Sequence, residues 1–146
     1  MLPIIHIVNG PNLNLLHLRP PKIYGGQSFD DYLETQLRPQ FGSEAVLMYF
    51  QSNAEGALID YLQSIPSGCM GVILNPAAYT HYSLALADTV ELMSLPIVEV
   101  HISNISEREP RRQLSLIRPH VAHCIEGKGI EGYEMAVKWL LKKREK

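Results

Sequence analysis

The sequence predicts an α/β protein built on a doubly wound, five-stranded parallel sheet. Short, continuous apolar segments occur five times, and such segments are typical of strands that are buried on both faces of a sheet. Amphipathic segments separate them, and this alternation indicates βαβ units. A length of 146 residues is enough for a hydrophobic core and predicts one domain over residues 1–146.

The strands are predicted from runs of apolar residues with few interruptions. The second strand, for example, contains the unbroken run from Ala45 to Phe50. The predicted strands are residues 2–8, 44–51, 70–74, 97–101 and 121–125.

The helices are predicted from apolar spacing and from residues that begin or end a helix. Ser28 is a suitable N-cap, with Asp30 and Asp31 in the first turn after it. Gly42 ends that helix, and Pro66 ends the next. The predicted helices are residues 28–42, 54–65, 84–93 and 129–146, with a short helical turn over residues 110–114.

Five βα units of this length favour the flavodoxin-like strand order 2-1-3-4-5, with three layers. In such a sheet, ligands bind beyond the carboxyl ends of the strands, near the point where the strand order reverses. Three polar loops follow strands 1, 3 and 4, which this order makes neighbours. They cover residues 9–25, 75–83 and 101–112.

Composition limits the classes of function. The net charge is −2, without a basic tail or an acidic run, so neither nucleic acid nor a membrane surface is an expected partner. No signal peptide and no apolar stretch of about 18 residues is present, so we expect a cytoplasmic protein. Cys69 and Cys124 are expected to be buried thiols, and no cysteine pair has zinc spacing.

The three loops carry residues suited to acid and base chemistry. Tyr24 becomes a base if a cation such as Arg19 favours its phenolate; alternatively it is an aromatic residue in a turn. Glu99 and His101 are two positions apart on a strand, so they share one face, where Glu99 can orient the imidazole. The alternative is a strand-end histidine without a role in catalysis.

The remaining polar residues of these loops have two interpretations each. Asn75 either satisfies loop backbone or binds a ligand. Arg108 and Arg112 either line the site or form an exposed cluster, and Asp88, within the third predicted helix, suggests a surface acid. A phenolate base with a histidine acid fits a lyase that eliminates water. The competing classes are a flavodoxin-like binding or signalling module and an inactive relative with a structural role.

Four motifs carry a resemblance to a known family. They are NGPNLNLL from Asn9 with Arg19 and Tyr24, QSNAEG from Gln51, NPAAYTH from Asn75, and EVHISN from Glu99 with Arg108 and Arg112. Over essentially its whole length the chain resembles type II 3-dehydroquinate dehydratase, the flavodoxin-like dehydratase of the shikimate and quinate pathways. The resemblance implies conversion of 3-dehydroquinate to 3-dehydroshikimate through an enolate.

The resemblance also implies a role for each site residue. Tyr24 is the base, Arg19 favours its phenolate, and Asn12 holds the water that stabilises the enolate. His101, oriented by Glu99, protonates the departing hydroxyl. The implied substrate-binding residues are Ile102 and Ser103 through their backbone N–H groups, Asn75, His81 and Arg112 through their side chains, and Asp88 in the site of a neighbouring subunit.

The resemblance further implies a dodecamer, a tetramer of trimers, that uses no metal or cofactor. The sequence departs from the family pattern within the first loop, where His17 and Pro20 replace a usual glycine and a usual acid. Ala77 replaces a glycine, and Tyr82 replaces a small residue. We expect His17 and Pro20 to affect the motion of the first loop, Ala77 to require a backbone conformation that accepts a Cβ, and Tyr82 to affect contacts between subunits.

Overall fold

The structure, a computed structural model, describes residues 1–144 and contains a five-stranded parallel sheet of order β2-β1-β3-β4-β5. The predicted class and strand order are confirmed. The strands are β1 Ile4–Asn9, β2 Val46–Gln51, β3 Gly71–Asn75, β4 Ile97–His101 and β5 His123–Glu126.

Strand limits differ from the predicted ones mainly at the starts of the first, second and last strands, each of which begins two residues later. Pairing of β1 begins at Ile4 opposite Val46, and Leu2 lies outside the ladder. The predicted fifth strand, residues 121–125, is shifted, because pairing with β4 begins at His123 opposite Val98. A run of apolar residues therefore locates a strand but does not set its first hydrogen bond.

Helices cover both faces of the sheet, as a doubly wound fold requires. On one face lie α2 (Phe29–Tyr32), α3 (Arg38–Phe41) and α6 (Gly132–Arg144), which pack against Ile5 and Ile7 of β1. On the other face lie α4 (Glu55–Ser64) and α5 (Leu84–Leu92), which pack against Val8. Successive side chains of a strand point to opposite faces, so each buried strand contributes to both cores.

The predicted helix over residues 28–42 contains a π-helical turn, Leu33–Leu37, between α2 and α3. Proline lacks an N–H group and its ring displaces the carbonyl four residues earlier. Pro39 follows the turn, and we attribute the wider turn to it. Ser28 is the N-cap, as predicted, and its hydroxyl accepts a hydrogen bond from the N–H of Asp31.

Two further expectations need correction. The last helix begins at Gly132, after a 3₁₀ turn over Gly129–Glu131, and its predicted end at residue 146 lies outside the described residues. Cys69 and Cys124 are free, as expected, but partly rather than fully buried. Within residues 1–144, no helix combines the length and the hydropathy needed to cross a bilayer.

The sheet brings the carboxyl ends of β1, β3 and β4 together. Asn9 lies opposite Asn75, and Leu74 lies opposite Glu99. The chain after β1 passes very close to the chain after β3: a Cβ at Gly10 would lie 2.4 Å from the carbonyl oxygen of Pro76. Only glycine fits such an approach, so Gly10 sets the distance between two loops that form the site.

Candidate active site

A pocket lies at the carboxyl edge of β1, β3 and β4, where the sequence predicted it. Nine of the eleven predicted site residues line it: Asn12, Arg19, Tyr24, Asn75, His81, His101, Ile102, Ser103 and Arg112. Glu99 lies behind the pocket wall, completely buried, and contacts it through His101. Asp88 lies on α5, exposed and away from this pocket.

Tyr24 and Arg19 form a close pair on one side of the pocket. The Arg19 Nη2 donates a hydrogen bond of 2.9 Å to the Tyr24 hydroxyl, and the guanidinium carbon lies 4.4 Å from the centre of the Tyr24 ring. Tyr24 is only 7% exposed. A positive charge that donates to the phenol oxygen stabilises the phenolate more than the phenol.

The segment after β1 was predicted as a long loop, but much of it is helical. A 3₁₀ helix covers Leu13–Leu18, and α1 covers Pro21–Tyr24. Leu13 and Leu16 are buried in the core, and Pro21 occupies a first-turn position that suits proline. These anchors place Arg19 and Tyr24 over the pocket, because a tethered segment has fewer conformations available than a free loop.

Asn12 lies at the start of this segment in a left-handed conformation, with φ of 69°. Asparagine tolerates that region better than most residues. Its backbone N–H donates to the Asn53 side chain at 2.9 Å, so the QSNAEG motif supports the loop after β1. The Asn12 side chain itself lines the pocket.

His101 and Glu99 form the second polar pair, on β4. The Nε2 of His101 lies 2.5 Å from the Glu99 carboxylate, and both residues are buried. A carboxylate only accepts hydrogen bonds, so Nε2 carries a proton. The remaining ring nitrogen, Nδ1, is the one that Glu99 does not engage.

Sequence reasoning did not identify the residues that hold Glu99. Ser115 donates to the carboxylate at 2.6 Å, and Arg118 donates through Nε and Nη2 at 2.8 and 3.2 Å. Burial opposes the charge of Glu99, but hydrogen bonds from His101, Arg118 and Ser115 outweigh it and lower its pKa to about 2. An acid within an apolar strand indicates that such partners exist, because a buried charge needs a partner.

A buried tyrosine orients Asn75 from behind. The Asn75 amide nitrogen donates to the Tyr133 hydroxyl at 2.9 Å, and that hydroxyl donates to the Asn9 carbonyl oxygen at 2.8 Å. The Asn75 side-chain oxygen accepts from the N–H of Ala77. Asn75 therefore organises the loop, as one interpretation from the sequence expected, and it also lines the pocket. Ligand binding by Asn75 stays a prediction.

His81 has a defined tautomer. Its Nδ1 lies 2.8 Å from the carbonyl oxygen of Leu114, which can only accept, so Nδ1 carries the proton. Burial lowers the pKa of His81, and His101, Arg112 and Arg108 lower it further, against the opposing hydrogen bond to Leu114. The neutral ring then offers Nε2 as an acceptor for a hydroxyl group.

The peptide groups after β4 are oriented by the loop that follows β5. Gly127 donates to the carbonyl oxygen of His101, and Gly129 donates to that of Ile102. In a trans peptide the N–H points opposite to the C=O, so the N–H groups of Ile102 and Ser103 point away from the β5–α6 loop. Both residues line the pocket.

The pocket is electropositive. Arg19, Arg108 and Arg112 line it, whereas no carboxylate does among residues 1–144. The same part of the chain contains no group of three or more histidine, cysteine or acidic side chains that could hold a metal ion. Arginines together with backbone N–H groups at the pocket wall are suited to a small anion such as a carboxylate.

Ala77 occupies a conformation that glycine would adopt at lower cost. Its φ is 53°, and the left-handed region costs an L-residue about 1–2 kcal/mol. We expect Ala77→Gly to raise the free energy of unfolding by about 0.5–1 kcal/mol, because the relief exceeds the entropy that glycine adds to the unfolded chain. Thermal denaturation at fixed protein concentration measures the change.

Ala78→Gly is the matched control, since the φ of Ala78 is not positive. It lowers stability through the entropy of glycine without any relief of strain. A loss of stability in Ala77→Gly equal to that of the control would contradict the argument.

Comparison with known proteins decides the family. The family model described as dehydroquinase class II matches residues 3–141. The chain belongs to the class II dehydroquinase family. This membership agrees with the resemblance carried by the four sequence motifs.

Relatives and solved structures of this family align over nearly the whole chain. The 3-dehydroquinate dehydratase of Bacillus subtilis is 46% identical over 143 residues, which is 96% of this chain and 95% of the relative. That of Roseiflexus castenholzii is 44% identical over 138 residues, covering 94% and 87%. The crystal structure of type II dehydroquinase from Butyrivibrio crossotus is 40% identical, with a TM-score of 0.88 and coverage of 95% and 97%.

Proposed function

We propose that this class II dehydroquinase eliminates water from 3-dehydroquinate to give 3-dehydroshikimate through an enolate, as a step of the shikimate or quinate pathway. The observation that carries the proposal is the placement of two polar pairs in one electropositive pocket. Arg19 with Tyr24 supplies a base, and Glu99 with His101 supplies an acid. The names of the relatives support the same reaction.

The base step belongs to Tyr24. Its phenolate, stabilised by the Arg19 guanidinium at 2.9 Å, removes the proton next to the ketone of the substrate. The electrons of the broken C–H bond move to the ketone oxygen, which becomes the enolate. Asn12, which lines the same pocket, holds a water molecule that donates to this oxygen, since oriented donors stabilise charge as it develops.

The acid step belongs to His101. In its protonated form, Nδ1 donates a proton to the departing hydroxyl group, which leaves as water while the enolate collapses to the conjugated ketone. Glu99 keeps Nε2 engaged and stabilises the imidazolium that must exist before the step. The base and the acid have different surroundings, which allows opposite protonation states to coexist at one pH.

The remaining site residues bind the substrate. The N–H groups of Ile102 and Ser103 receive its carboxylate, and the pocket arginines attract the anion. Asn75, His81 and Arg112 bind the ring hydroxyl groups, for which the neutral His81 provides an acceptor.

Assembly and location follow from the same family membership. We infer a dodecamer built as a tetramer of trimers, in which the exposed Asp88 of one subunit reaches the site of its neighbour. We also infer a cytoplasmic enzyme of one domain that works without metal or cofactor. The alternative, an inactive relative with a binding or structural role, lacks a supporting feature, because Tyr24, Arg19 and His101 all line one pocket.

The product assay tests the function directly. 3-Dehydroshikimate contains a ketone conjugated to a double bond, so we expect ultraviolet absorbance to rise when the purified protein is mixed with 3-dehydroquinate. A Tyr24→Phe preparation, purified in the same way, controls for a contaminating enzyme. No rise in absorbance at high protein concentration would remove the dehydratase proposal.

A further inference from the structure

Arg118 lies outside the pocket lining but contacts its acid pair from behind. Arg118 begins a short 3₁₀ turn, Arg118–His120, that precedes β5. Its side chain is 38% exposed, whereas the Glu99 side chain that it contacts is completely buried. The guanidinium thus reaches from the surface to a carboxylate that water does not reach.

The contact between Arg118 and Glu99 has the geometry of a fork. Arg118 Nε donates to one carboxylate oxygen at 2.8 Å, and Nη2 donates to the other at 3.2 Å. Paired contacts of this kind fix the plane of a carboxylate as well as its position. Ser115 and His101 donate to the same oxygen as Nη2, Oε2, and the other oxygen, Oε1, accepts from Arg118 Nε. The orientation of Glu99, and with it that of the His101 ring, therefore depends on Arg118.

The charge of Arg118 has a second consequence for His101. An isolated Glu99 carboxylate would hold the imidazolium proton tightly and make His101 a weak acid. Arg118 shares that negative charge, so less of it acts on His101. The proton of the imidazolium is then easier to transfer to a leaving group, which is what the elimination step needs.

We propose that Arg118 is a positioning residue for the dehydration step, which holds Glu99 in a fixed plane and moderates its hold on the His101 proton. The inference rests on the proposed function, because it assigns His101 the role of the acid. It concerns a residue that lies outside the pocket, donates hydrogen bonds to Glu99 and also lies 3.7 Å from the carboxylate of Glu126.

Other charges around the pair do not replace Arg118. The groups that face Glu99 and His101 come from four neighbouring segments, and one of them, Glu126, itself pairs with Arg118 at 3.7 Å. They are Arg19 and Tyr24 after β1, His81 after β3, Arg108 and Arg112 after β4, and Cys124 and Glu126 on β5.

The test is the pH dependence of kcat in three variants. Since His101 acts when protonated, kcat falls as pH rises through its titration. In Arg118→Met the positive charge is gone, so we expect the fall of kcat to move to higher pH, with a lower kcat at neutral pH. Arg118→Lys keeps the charge but cannot make the paired contact with the carboxylate. We therefore expect the pH at which kcat falls to stay unchanged, while kcat itself is lower.

Controls separate this role from folding. Arg111→Met removes another exposed arginine, which does not line the pocket. We expect this variant to have the kcat and the pH dependence of the wild-type protein. Circular dichroism and KM show whether the fold and substrate binding persist. If Arg118→Met does not fold, Arg118→Gln takes its place, because an amide also removes the charge and still donates one hydrogen bond to Glu99.

A second readout does not depend on turnover. NMR titration of the His101 ring, assigned by comparison with His101→Gln, gives its midpoint in the free protein, and we expect the same upward shift in Arg118→Met. If the wild-type protein forms no enone, the proposed function is rejected, and the NMR titration still tests the effect of Arg118 on His101. A midpoint that is unchanged, or that moves down, in Arg118→Met would overturn the role of Arg118.

Discussion

Tyr24→Phe is expected to lower kcat by about 10³-fold while the protein remains folded. Phenylalanine keeps the ring that is buried over the pocket and loses only the oxygen that accepts from Arg19. Without that oxygen no phenolate exists to remove the substrate proton. The carboxylate and ring hydroxyl contacts remain, so KM changes much less than kcat. Steady-state kinetics by enone absorbance measure both constants.

Tyr82→Phe is the matched control for this variant. Tyr82 is 63% exposed and does not line the pocket, so the same loss of one hydroxyl group there leaves kcat near the wild-type value. Retention of most of the turnover in Tyr24→Phe would mean that another group is the base.

The sequence predicts the framework of this site because each strand is a local pattern. The strand predicted over residues 97–101 contains both residues of the acid pair, Glu99 and His101, and β4 has those limits in the structure. The strand order then predicts that three loops lie together, and this prediction does not require any side-chain contact to be known. Nine predicted residues line one pocket for this reason.

Contacts between distant side chains are the part that the sequence does not predict. Arg118 is 19 positions from Glu99, and Tyr133 is 58 positions from Asn75. Each contact depends on the final packing of a 3₁₀ turn or a helix against the sheet edge. The same limit explains the loop after β1, where Leu13 and Leu16 form a helical segment only because the core accepts them.

Backbone strain is equally hidden from composition. Alanine is an ordinary loop residue, and nothing about Ala77 as a residue type requires a positive φ. The conformation arises because Asn75 holds the N–H of Ala77 and Gly10 lies against Pro76. Strain of this kind is imposed by surrounding contacts, and it is often found at functional sites.

His101→Ala separates the two chemical steps. Tyr24 and Arg19 remain paired in this variant, so the proton next to the ketone is still removed and returned. The departing hydroxyl group, however, has lost its proton donor. We expect formation of the enone to slow by about 10²–10³-fold, and exchange of the proton with deuterium from solvent to slow much less.

Deuterium incorporation into unreacted 3-dehydroquinate, followed by mass spectrometry, measures the first step, and enone absorbance measures the second. His120→Ala is the control, because His120 pairs with Glu91 on the outside of the protein and does not line the pocket. The ratio of the two rates distinguishes the two roles. The buried Glu99 still has Arg118 and Ser115 as partners in His101→Ala, so we expect the rest of the site to keep its structure. Equal slowing of exchange and elimination would therefore show that His101 acts before the enolate forms, and would contradict its assignment as the acid for the leaving group.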